Sequence, residues 1–137
     1  MRFDKELNAW VFNKNILGNA VEIRLTDIDL RPQLTKEKIL DDAISYVENH
    51  SKEIEKNITN SLWNKYNEGW TDPEEGILKL SRKEFISNFV LNAINYEVED
   101  EFNGVFYLYY LDSGIFDGHS IEVFIENDGE ISSELVG

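Results

Sequence analysis

Asp112, Asp117 and His119 fall in one short stretch, Asp112-Ser113-Gly114-Ile115-Phe116-Asp117-Gly118-His119-Ser120. A histidine with a carboxylate to orient it can act as a general base. With a second carboxylate the same residues make a hard-ligand set for a divalent ion. Residues two apart on a strand share a face, so Asp117 and His119 can converge. The competing reading is structural, and it outweighs the chemical one. Gly114 and Gly118 supply unusual backbone angles, Asp112 and Asp117 bond the N–H groups of the turn, and His119 plugs a strand end. A small metal-binding or metal-dependent hydrolase domain on the 112–119 loop is therefore the alternative reading of function. No serine or cysteine sits in a nucleophile elbow and no phosphate loop is present, so no cofactor is expected.

A second cluster is Glu97, Glu99, Asp100 and Glu101, around a strand end and turn. It lacks the alternating acid-glycine pattern of a helix-loop-helix calcium site. Its interest lies in its setting. Ala93 to Gly137 carries eleven Asp or Glu and no Lys or Arg, while the preceding ninety-two residues carry sixteen acids against thirteen bases. Most of the net charge of −14 therefore sits at one end of the chain. If Glu97, Glu99, Glu122, Glu126, Glu130 and Glu134 share one exposed sheet face, with Asp100 and Glu101 at its turn, they form a broad anionic patch. Such a patch speeds encounter with a basic protein and repels nucleic acid. A plain solubility coat is an equal alternative, and a scaffold pairing through its sheet edge is a third.

The elements that must position these groups read as α+β. Leu7–Phe12 and Val21–Leu25 form an N-terminal hairpin around a loop at 13–19, with a bulge near Thr26-Asp27 where the alternation changes parity. Thr35 caps a helical stripe of Leu40, Ile44, Val47, Ile54, Ile58 and Leu62. Ser51 interrupts the stripe, which favours two helices meeting near Asn49 over one long helix. Trp63, Tyr66 and Trp70 close the stripe against the core. Asp72-Pro73 starts a single turn. Ser81-Arg82-Lys83-Glu84 is a capping box that opens a short helix over 81–92. Alternation over 94–98 and 119–126, an apolar run at 105–111 and the Asn127-Asp128-Gly129 turn predict a C-terminal antiparallel meander. The run at 105–111 reads as a central strand covered on both sides. The helices, two or three in number, pack on one face of the sheet. A single domain is expected: hairpin 1–31, helical region 33–92, meander 93–137.

With 42% hydrophobic residues the chain can bury a core, and without cysteine it has neither disulfides nor thiolate metal sites. Met1 to Glu6 lacks a signal-peptide apolar run, and no stretch is apolar enough to span a membrane, so a cytoplasmic protein is expected.

The tail Phe116-Asp117-Gly118-His119-Ser120-Ile121-Glu122-Val123, then Asp128-Gly129-Glu130-Ile131 and Leu135-Val136-Gly137, resembles a group of bacterial families of unknown function. These end in a Gly-His-x-Ile strand and an Asp-Gly turn. Some related domains occur in toxin–immunity loci, where small acidic proteins block a cognate toxin. The resemblance implies a fold and a role as an immunity-type inhibitor of a basic protein; it lends Asp117 and His119 no catalytic duty.

Overall fold

The computed structural model describes all residues, Met1 to Gly137. Seven strands form one sheet in chain order: β1 (Arg2–Asp4), β2 (Ala9–Ile16), β3 (Asn19–Thr26), β4 (Val90–Val98), β5 (Gly104–Leu111), β6 (Ser120–Ile125) and β7 (Ile131–Val136). Neighbours are antiparallel except β3 and β4, which run parallel with Ile23 opposite Ile94 and Leu25 opposite Tyr96. Parallel strands cannot be joined by a tight turn, so the intervening chain must cross a face of the sheet. That crossover holds every α-helix: α1 (Lys36–Asn49), α2 (Ser51–Gly69) and α3 (Arg82–Ile86). The result is an α+β fold: N-terminal strands, helices on one face, and a C-terminal antiparallel meander.

Local chemistry sets the helix ends. The Thr35 hydroxyl accepts from the Lys38 N–H and starts α1. His50 separates α1 from α2; its imidazole stacks on Tyr46 and its Nδ1 lies 2.8 Å from the Tyr46 carbonyl. The predicted meeting of two helices near Asn49 is therefore found. Asp72 caps a 3-10 turn at Pro73–Glu75, and Ser81 and Glu84 form the capping box of α3.

Ile39, Leu40, Ala43 and Val47 of α1 and Ile54, Ile58, Leu62 and Tyr66 of α2 are buried. They meet Ile23, Leu25, Ile94, Leu108, Ile121 and Val123 in one core cluster of 25 residues. Burial of such side chains contributes about 2 kcal/mol each. Tyr66, Phe85 and Phe116 pack together in that core, with Trp70 edge-on to Phe116. Trp63 is partly buried, and its indole donates to the Leu80 carbonyl.

The structure corrects several expectations. The predicted loop at 13–19 is mostly strand, because β2 and β3 run on to a two-residue turn with Leu17 at φ 53 and Gly18 at φ 84. Positive φ at both positions matches the twist of a hairpin. Asn13, Lys14 and Asn15 are all exposed there, so no alternation marks the strand. An additional strand, β1, precedes the hairpin.

There is no bulge at Thr26-Asp27. Asp27 takes a left-handed conformation (φ 56) and leads out of β3 into a 3-10 turn. Helix α3 ends at Ile86 instead of Asn92. The Ser87 hydroxyl and the Asn88 amide donate to the Glu84 carbonyl, competing with continued helix, and the chain passes through i→i−3 bonds into β4. Strand β5 is central, yet only Phe106, Leu108 and Tyr110 on its helical side lie in the core cluster. Tyr107 and Tyr109 project from the other face, half-buried.

Candidate functional site

The 112–119 loop is organised by Asp112. The residue is 4% exposed, and its carboxylate accepts from three backbone N–H groups: Gly114 on Oδ1, Phe116 and Gly118 on Oδ2. Ser113, Gly114, Asp117 and Gly118 all have positive φ, the curvature that lets these amides converge on one carboxylate. Asp117 is exposed. His119 lies edge-on to Trp70, 5.8 Å between ring centroids. Asp112, Asp117 and His119 are not brought together as a ligand set. The carboxylates that do cluster within 4.8 Å are Glu126, Asp128 and Glu130, all exposed in the β6–β7 turn.

The predicted acids divide into two groups. Glu97, Glu122 and Glu134 share the open face, the one away from the helices, because Tyr109 stands opposite Glu122 and Glu122 opposite Glu134, with Glu97 paired to Val105. Glu99, Asp100 and Glu101 in the β4–β5 turn and Glu126 and Glu130 in the β6–β7 turn gather at one end of the sheet. The Asn127 amide joins the two turns by donating to Glu99. Glu126 lies against Glu130, which raises its pKa above the ordinary carboxylate value, with desolvation and Asp128 adding to the effect. Asp100 is held low by N–H donation from Phe102 and Asn103 and by the Asn103 amide.

None of the three ion pairs in the protein includes a residue of β4–β7. They are Arg2–Asp4, Arg24–Glu22 and Lys38–Asp42. Two further bases are taken by aromatic rings: Lys36 lies over Trp10 and Arg82 over Trp63. Arg31 is the one base that hydrogen-bonds to the acidic end, and it donates to the Asp100 carbonyl.

Between the open-face acids stand residues that sequence reading assigned to a covered strand. Tyr107 packs on Phe124 at 4.9 Å. Tyr109 is pushed up to about 12 by burial first and then by the Glu122 carboxylate. Tyr107 is shifted upward too, by burial and by Glu97, Glu122 and Glu99. A cavity of about 290 Å³ opens along this face beside Tyr107, Glu122, Phe124 and Glu134. Arg24 Nε, Thr26 Oγ1 and Asn95 Oδ1, on the adjoining strands of the same face, are buried without hydrogen-bond partners. Two tyrosines on one parity of the run, Tyr107 and Tyr109, with Phe106 and Leu108 on the other, were the available signal.

Fold and surface together define an α+β domain with a one-sided helical layer and an acidic, tyrosine-bearing open sheet face. Residues 1–136 match the model of a family described as an uncharacterized protein conserved in bacteria (DUF2262), and the chain belongs to that family. No curated protein and no solved structure matches it. No helix is long and apolar enough to cross a membrane.

Proposed function

We propose that the chain is a non-enzymatic binding protein whose open sheet face over β4–β7 receives a basic protein partner. The carrying observation is that no carboxylate of β4–β7 or their turns is ion-paired, while Arg24, on the adjoining strand of this face, is matched to Glu22, and Lys38 and Arg2 to Asp42 and Asp4. Unpaired carboxylates raise the encounter rate with a cationic surface, and repel the phosphates of nucleic acid. Tyr107, Tyr109 and Phe124 supply rigid contact area between them, the side-chain type that dominates binding hot spots. The resemblance to families from toxin–immunity loci makes a basic toxin the kind of partner expected, with this chain as its inhibitor. A metal-dependent hydrolase at the 112–119 loop is the weaker reading, since both Asp112 oxygens are engaged by backbone N–H groups.

The test is calorimetry on a purified pair, the chain and a basic protein captured with it and then isolated. Tyr107→Ala is expected to weaken the pair by about 2 kcal/mol, as at a hot spot. An affinity unmoved by Tyr107→Ala and by Glu122→Gln together would overturn the assignment of the face. So would light scattering showing that the isolated chain saturates this face with a second copy of itself.

A further inference from the structure

Arg31 is 8% exposed, and no carboxylate lies within ion-pair distance of it. Its partners are neutral. Nε donates to the Asp100 carbonyl at 3.2 Å and Nη2 to the Tyr96 hydroxyl at 2.9 Å, with the guanidinium 5.5 Å from the Tyr96 ring centroid. The Asp100 carboxylate feels the Arg31 charge without reaching ion-pair distance, and it is occupied by the Phe102 and Asn103 N–H groups and the Asn103 amide. Nη1 makes no hydrogen bond within the protein. A guanidinium this buried is costly to hold without an anion beside it.

Arg31 lines a cavity of about 230 Å³ between α1 and the two acidic turns. Tyr46, Tyr96 and Phe106 form its aromatic walls, and Phe102, 84% exposed, stands at the rim. Glu126, exposed at the mouth, has no cation against it and shares its surroundings with Glu130. Asp42 also lines the cavity but is already matched to Lys38. The site thus has a buried cation, aromatic walls and an unmatched carboxylate at its opening.

A phosphate dianion would meet Glu126 and Asp42, and a simple amine would meet Arg31. A ligand carrying both charges satisfies both ends, and the volume limits it to a small molecule. We propose that this cavity binds a small zwitterion of the α-amino-acid type with an apolar or aromatic side chain, its carboxylate on Arg31 and its ammonium at Glu126. The reading is separate from the open face, where the residues differ.

Calorimetry on the intact chain tests it, with L-phenylalanine and L-leucine as probes. Phenethylamine lacks the carboxylate and hydrocinnamate lacks the ammonium, so they serve as charge-deleted controls. Saturable binding of an amino acid is expected, weakened about tenfold or more for either control, the loss typical of one hydrogen bond to a charged group. Glu126→Gln, at an exposed turn, is expected to cause a similar loss and to remove the preference over hydrocinnamate. Arg31→Lys, where it folds, should lose the preference over phenethylamine. No saturable heat with either amino acid overturns the proposal. So does equal affinity for phenylalanine and both controls, or a Glu126→Gln protein that binds as the unsubstituted chain does.

Discussion

The Tyr96 hydroxyl lies 2.5 Å from the point where a β-carbon on Gly104 would stand, so the ring crosses the facing strand where only glycine leaves room. That crossing places the hydroxyl under Arg31 and couples the β4–β5 hairpin to the chain that leads into α1. Gly104→Ala must displace the ring and disturb the bond to Arg31. The expected loss is about 1–3 kcal/mol, the usual cost of overpacking, read from urea denaturation. A variant as stable as the parent would show that Tyr96 has room to move.

Asp112 predicts a larger loss. Asp112→Ala leaves three loop N–H groups without their acceptor in a buried place. Destabilisation of about 3 kcal/mol is expected by the same method, with Asp112→Asn, which keeps one acceptor oxygen, losing less. Equal stability of Asp112→Ala and the parent would mean that the loop holds its shape through its glycines alone.

The Glu126–Glu130 contact gives a pH signature. Glu126 is raised above the ordinary value of 4.5, chiefly by Glu130. A raised carboxylate contributes stability that is present below its unfolded pKa and lost as pH rises through the folded one. At neutral pH the turn therefore carries unrelieved like-charge repulsion. Glu130→Gln should lower the Glu126 midpoint, followed by carboxyl NMR, with desolvation and Asp128 holding what remains of the shift. A midpoint that Glu130→Gln leaves unmoved would remove Glu130 as the chief cause.

Tyr109 titrates on the alkaline side. Its folded pKa of about 12 exceeds the ordinary 10.0. Its contribution to stability is present in full below pH 10 and is lost between 10 and about 12. In an alkaline absorbance titration, Glu122→Gln should lower the midpoint of this phenol and Tyr109→Phe should delete it. Burial, the larger cause, keeps the Glu122→Gln midpoint above 10.0. A midpoint unchanged in Glu122→Gln would place the carboxylate elsewhere.

What could be read from the residues was whatever short-range chemistry determines. The break at His50, the Ser81–Glu84 capping box, the Asp72-Pro73 turn and the Asn127–Gly129 hairpin each follow from a few neighbouring side chains. That Asp112 bonds the N–H groups of its own loop was legible for the same reason, whereas Asp117, read in the same role, has an exposed side chain that makes no such bond. What escaped depends on distant partners. Arg31 precedes a proline in a polar connection, and only contacts with Tyr96 and Asp100, far along the chain, bury it. The full length of β2 was hidden because exposed Lys14 stands between buried Phe12 and Ile16 on the same parity and interrupts the apolar alternation. The run at 105–111 was misread because tyrosine suits a half-buried open face as well as a covered one.

The association rate of the purified pair, followed by stopped flow from low to high salt, tests the central claim most directly. The account predicts a steep fall with rising salt in the parent, and a lower, flatter dependence in Glu97→Gln/Glu122→Gln/Glu134→Gln. A rate that ignores both salt and the triple substitution would contradict it.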